Sequence, residues 1–185
     1  MNLLSLYEQK KFDTDKYDLG YIDNFYNTFL ENFKEPINFL EIGMFRCGSI
    51  KMWKEFFNLS SNIYASDINY YFNCPENVNY VIGDAYSENI LNKFNNNYFD
   101  LIIDDGPHSF NSFTYLIQNY YSKIKNDCYL IIEDIIHKEW VAPLVELTKS
   151  SGYSKCEIID MTGKQKTLEL LDRWKNGLFI LKIKK

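Results

Sequence analysis

The chain reads as an α/β fold: a doubly wound, seven-stranded, mostly parallel sheet with helices on both faces and an antiparallel C-terminal edge strand. Three observations predict it. Short apolar runs alternate with amphipathic helical stretches through most of the 185 residues. Most of those runs are continuous rather than alternating, as expected of strands buried on both faces. Five successive runs also end on carboxylates, at the rim where open sheets of this kind bind ligands.

The elements follow in order. A helix is predicted over 21–33, where Ile22, Phe25, Tyr26, Phe29, Leu30 and Phe33 share one face, and Pro36 forbids its continuation. Strands are predicted at 37–43, 62–68, 78–84, 99–105, 128–135, 156–161 and 177–184. Between them, "SIKMWKEFF" sets Ile50, Trp53 and Phe57 on one side of a helix. "FNSFTYLIQNYYSKI" does the same with Phe110, Phe113, Ile117, Tyr120 and Ile124. A further helix covers part of 138–151 and stops at Gly152, a residue suited to the left-handed position past a helix end. A long charged connection then leads to the final strand. No repeat, low-complexity block or Pro/Gly-rich linker divides the chain, so one domain is expected over 1–185, with a helical cap segment at 1–36 and a sheet core at 37–185.

Composition narrows the function. A net charge of -5 argues against general nucleic-acid or membrane-surface binding, since an acidic surface gains nothing there. No apolar run approaches the roughly 20 residues that cross a bilayer. "MNLLSLYEQKKF" lacks the basic flank and apolar core of a signal peptide, and "NLS" at 58–60 is a glycosylation match of the kind that arises by chance. Cys47, Cys74, Cys128 and Cys156 form no CxxC pair and read as small hydrophobes in strands and turns. A cytoplasmic protein is the simple expectation.

The carboxylates fall at strand ends: Glu41 on the first strand, Asp67 on the second, Asp84 on the third, Asp104 and Asp105 on the fourth, Glu133 and Asp134 on the fifth. One such residue is an ordinary helix cap, but five successive strands are harder to explain that way. In "FLEIGMFRCGSIKMW", Gly43 permits a tight turn, Gly48 a close backbone approach to a ligand, and Ser49 a helix cap. An ordinary strand-to-helix turn has the same features. Asp67 lies at the distance expected of an acid that binds ribose hydroxyls, and Asp84 suits an adenine amino group or a cap. Glu41 would repel a pyrophosphate and attract a cation, so electrostatics favour S-adenosylmethionine over a nicotinamide dinucleotide.

With "LEIG", "CGS", "ASDI", "GDA", "FDLIIDDGPHSF" and "LIIEDI", the chain resembles the class I S-adenosylmethionine-dependent methyltransferases, whose sheet is Rossmann-like. More narrowly it is similar to the metal-dependent sugar O-methyltransferases of macrolide biosynthesis, of the macrocin and mycinamicin type, a pattern shared by cephalosporin hydroxylase-like proteins. "FDTDKYDLGY" resembles that family's "GTDK" segment, with Phe12-Asp13 in place of the usual glycine, and so implies Thr14 and Lys16 at the cofactor. The resemblance also implies cofactor contact at Glu41, Gly43, Gly48, Ser49, Asp67, Asp84 and Asp104, and a small, sugar-containing hydroxyl acceptor. A homo-oligomer is compatible with it.

Three carboxylates brought into one volume repel unless protonated or neutralised, and a hard divalent ion such as Mg²⁺ is the natural partner. The resemblance makes Asp105, Glu133 and Asp134 its ligands; capping of the next helix by Glu133-Asp134 is the plainer reading. Asp104 and Asp105 point to opposite faces of their strand, so only one is expected at the metal. His108, one of two histidines, then stands where a general base could take the acceptor's proton, or is a structural histidine beside the turn. His137 reads as a helix-start residue. Lys164, Lys166 and Arg173 in the last connection are candidates to meet an anionic or polyhydroxyl acceptor. Two rivals remain at this level: an NAD(P)-dependent reductase on the same fold, and a non-catalytic cofactor-binding partner subunit.

Overall fold

A computed structural model describes residues 2–31, 33, 36–57, 59–71 and 73–185. Seven strands form one sheet: β1 (Asn38–Ile42), β2 (Asn62–Asp67), β3 (Asn79–Ile82), β4 (Phe99–Asp104), β5 (Ile124–Ile135), β6 (Lys155–Asp160) and β7 (Phe179–Lys184), in the order β3-β2-β1-β4-β5-β7-β6. Pairing is parallel from β3 through β5, whereas β7 runs antiparallel to both β5 and β6. The C-terminal strand is therefore antiparallel, as expected, but it lies inside the sheet and β6 takes the edge. Apolar runs report burial, not strand order. β7 alone has neighbours on both sides among the last two strands, and its Ile180, Leu181 and Ile183 are fully buried while β6 is half-exposed.

Successive strand residues enter opposite cores, as a period of two requires. Phe39, Leu101, Ile103 and Ile131 pack on one face with Trp53 and the N-terminal aromatics Tyr21 and Tyr26. Leu40, Ile102, Leu130 and Ile132 pack on the other, against Phe113, Ile117 and Leu144. The first face is covered by α1 (Leu3–Lys10), a π-helical turn (Ile22–Tyr26) running into α2 (Asn27–Leu30), and α3 (Gly48–Phe56). The second is covered by α5 (Phe110–Asn119) and α6 (Lys138–Ser150), while the short α4 (Glu88–Leu91) follows β3 and α7 (Leu168–Arg173) precedes β7. No helix among the described residues is long and apolar enough to cross a membrane.

Several boundaries differ from the sequence reading. α1, α4 and α7 lie in stretches too short or too weakly patterned to predict. The expected helix at 21–33 begins as a π turn, and residues 32, 34 and 35, where it was expected to end, lie outside the described set, as does Asn58 of the glycosylation match. Ile124 belongs to β5 rather than to the preceding helix, because the chain passes from α5 through a 3₁₀ turn at Tyr120–Lys123 directly into the strand. Gly152 does follow the end of α6, at φ +90°.

Candidate active site

The order reverses between β1 and β4, and the site opens beyond the carboxyl ends of these two strands. Gly43 ends β1 at φ +88°, and a Cβ there would lie 1.9 Å from the Asp105 carbonyl oxygen. Only glycine lets the two strand ends come this close. The turn that follows holds Phe45 and Cys47 in the left-handed region, unusual for residues with side chains. Asp67 shapes it: Oδ2 accepts from the amides of Met44 (3.0 Å) and Phe45 (3.1 Å), and Oδ1 from Asn69 (3.0 Å). A disulfide between Cys47 and Cys74 ties the turn to the segment after β2, which corrects the reading of four free thiols; Cys128 and Cys156 are free.

Gly48 is closely approached by the chain's own backbone. A Cβ there would lie 1.6 Å from the Asp13 carbonyl oxygen. The close neighbour is the N-terminal segment. Gly48→Ala is expected to push that segment away at a cost of about 1–3 kcal/mol, the usual range for overpacking, with the sheet's circular dichroism unchanged. A melting curve matching the parent protein would contradict this.

A cavity of about 580 Å³ fills the space between turn and strand ends. Of the residues expected at a cofactor, Thr14, Gly43, Gly48, Ser49, Asp67 and Asp84 line it. Asp105, His108 and Asp134 form its far end. Glu41, Lys16 and Asp104 do not line it, and each departure has a physical cause. Glu41 is fully buried, accepts from Ser49 Oγ at 2.8 Å, and has Oε1 3.4 Å from the Lys16 ammonium, so its charge is spent inside the protein. Asp104 is fully buried on the other side of β4, where Tyr86 donates to it, and burial pushes its carboxyl up to about 7. Asp84 also receives the Tyr86 amide at 2.9 Å in a local turn, while the next helix, α4, has Ser87 at its N-cap.

Lys16 is the residue that sequence reasoning misplaced most. Its side chain is 1% exposed, and its ammonium meets Asp105 Oδ2 at 2.7 Å, Glu41, and Glu133 in a tight ion pair. Burial alone would lower its pKa, but the surrounding carboxylates overcome that and hold the ammonium well above the ordinary lysine range. Glu133 is the second correction. It is buried, and both oxygens are occupied, one by Lys16 and the other by the Tyr26 hydroxyl. It faces inward, away from the cavity.

What remains at the cavity is a smaller group. One ligand atom each from Asp105, His108 and Asp134 lies within 4.8 Å of the others. His108 Nε2 is 3.7 Å from Asp105 Oδ1 and 3.6 Å from Asp134 Oδ2, while Nδ1 is buried without a partner among the described residues. Burial pushes the Asp134 carboxyl up to about 6, Asp105 adds to this, and His108 and the Tyr21 hydroxyl that donates to it act in the opposite direction. Both His108 (φ 49°) and Asp134 (φ 54°) are left-handed. At Asp134 the cause is visible: the β5–β7 register shifts between Ile132 and Ile135, a bulge that leaves Asp134 at the cavity while Glu133 stays buried against Lys16 and Tyr26. Two carboxylate oxygens and an imidazole nitrogen are a donor set that suits a divalent cation. His137 stays apart, at the start of α6 with its ring 4.2 Å from Trp140.

No protein-family model matches the chain, and neither does a curated protein. Solved structures do. A SAM-dependent methyltransferase from Archaeoglobus fulgidus superposes over 98% of this chain and 99% of its own, with a TM-score of 0.61 at 17% identity. This chain has the class I methyltransferase fold. The MycE methyltransferase of mycinamycin biosynthesis, solved with Mg, SAH and mycinamycin VI, matches 77% of the chain at TM-score 0.62 and 23% identity. The chain spans 39% of that protein's length. An O-methyltransferase from Bacillus cereus in complex with SAH matches 80% of this chain and 74% of its own, at TM-score 0.59 and 13% identity. In this methyltransferase fold the glycine turn after β1 and the acids closing β2 and β3 border one cavity. The roles of Tyr21 and Tyr26, and the inward pairing of Lys16 that the sequence reading had set at the cofactor, escaped because their partners lie roughly a hundred residues away.

Proposed function

We propose that the chain is an S-adenosylmethionine-dependent O-methyltransferase that uses a divalent cation and acts on a hydroxyl of a sugar or other small polyhydroxyl acceptor. The observation that carries this reading is the convergence of Asp105, His108 and Asp134 at the end of the cavity. In this reading Thr14, Gly43, Gly48, Ser49, Asp67 and Asp84 hold the cofactor. Asp105 and Asp134 hold the cation. When bound, a divalent ion such as Mg²⁺ supplies Lewis acidity that makes a hydroxyl easier to deprotonate.

His108 supplies the base. The acceptor oxygen forms a bond to the methyl carbon, the carbon–sulfur bond breaks with its electron pair passing to sulfur, and the acceptor proton moves to His108 Nε2. Glu41 does not provide the charge argument expected of it, since Lys16 neutralises it. Support for this cofactor rests instead on the fold and on a turn without the GxGxxG pattern of dinucleotide sites. A second reading, in which His108 is a third ligand to the cation, is favoured by the same proximity, and the metal affinity of His108→Ala separates the two.

Thermal shift distinguishes this from the reductase and partner-subunit readings. At a hundredfold excess over Kd, S-adenosylhomocysteine is expected to raise Tm by roughly 5–10 °C. NADH should leave it unchanged, and chelation should abolish methyl transfer. Stabilisation by NADH alone would overturn the proposal, as would transfer that survives both chelation and His108→Ala.

A further inference from the structure

A second cavity, of about 230 Å³, lies on the other side of His108 and Asp134. It is below the roughly 300–1,000 Å³ of pockets for drug-sized ligands, which suits a single ring. Asp15, Asp134 and His108 line it together with the apolar Ile136, Leu170 and Trp174, and with Arg173. The connection carrying α7 places the last of these there. Of the basic side chains in that connection, Lys166 is spent on Asp23. Arg173 is exposed, forms no ion pair among the described residues, and has its guanidinium carbon 4.9 Å from the Trp174 ring centroid. A guanidinium over a ring and without an ion-pair partner has its N–H fork available to a planar, two-oxygen partner.

We infer that this cavity is the acceptor site and that it selects an acceptor bearing an anionic group, a carboxylate or a phosphate ester, held by Arg173. The inference rests on the transferase reading above and adds the substrate's charge and orientation to it. Arg173 supplies the cationic partner, so the acceptor binds with its anion there and its reacting hydroxyl toward His108. Trp174, Leu170 and Ile136 meet the C–H face of the ring between the two.

The test uses the full chain with S-adenosylhomocysteine and Mg²⁺, titrated with D-glucuronate, D-glucose 6-phosphate and D-glucose. At least one anion is expected to bind about 10- to 100-fold more tightly than glucose, as charge-assisted hydrogen bonds would give, and the stronger of the two identifies the group. Arg173→Ala should erase that preference and Arg173→Lys should restore part of it, with S-adenosylhomocysteine affinity unchanged in both. Equal or tighter binding of glucose, no binding of either anion, or an Arg173→Ala protein that keeps the preference would overturn the inference while the transferase reading stands. Failure of S-adenosylhomocysteine to bind the parent protein would remove both.

Discussion

His108→Ala is expected to slow methyl transfer by about 10²- to 10⁴-fold, the usual worth of a positioned base, and to leave S-adenosylhomocysteine binding intact. The expectation follows from where the ring sits. Its Nε2 lies 3.6–3.7 Å from two carboxylate oxygens, and the residue lines both the large cavity and the smaller one, so a hydroxyl in the second cavity can reach it. Single-turnover kinetics with saturating cofactor measure the effect. A rate within a fewfold of the parent would show that the proton leaves by another route.

Lys16→Met is expected to cost about 3–5 kcal/mol of folding stability, the range for removing one partner of a buried ion pair. The substitution roughly preserves volume, so the loss is electrostatic. It strands Glu133 and Glu41, both fully buried, and removes the inner partner of Asp105. For a chain of this size the shift in Tm is roughly 6–20 °C. Glu133→Gln added to Lys16→Met should recover part of it, because one uncompensated charge disappears and the Tyr26 hydroxyl keeps an acceptor. If Lys16→Met melts with the parent protein, the inner cluster is not ionised as drawn here.

These two residues also mark the limits of what the primary structure discloses. The strands were legible because continuous apolar runs leave few alternatives, and the rim was legible because polar residues close those runs. The Asp105–His108 turn and Asp134 were found in that way. Strand order at the far edge was not, since β6 and β7 are both short apolar runs and pairing decides which is interior. Glu133 and Asp134 were read as equivalent because a regular strand and a bulge have the same sequence; the register shift after Ile132 separates their roles. Lys16 was set at the cofactor rather than inside because its pairing spans 89 residues to Asp105 and 117 to Glu133, and only the fold brings three carboxylates around it.

The sharpest test is calorimetric titration of Mg²⁺, and in parallel Mn²⁺, into the parent protein, Asp134→Asn and Glu133→Gln. Loss of partners that only support a ligand already weakens metal sites by about 10- to 100-fold, so Asp134→Asn is expected to lose at least that much while Glu133→Gln stays within about threefold of the parent. Abolished binding in Glu133→Gln with Asp134→Asn unaffected, or no binding to the parent protein at all, would contradict a cation site built from Asp105 and Asp134.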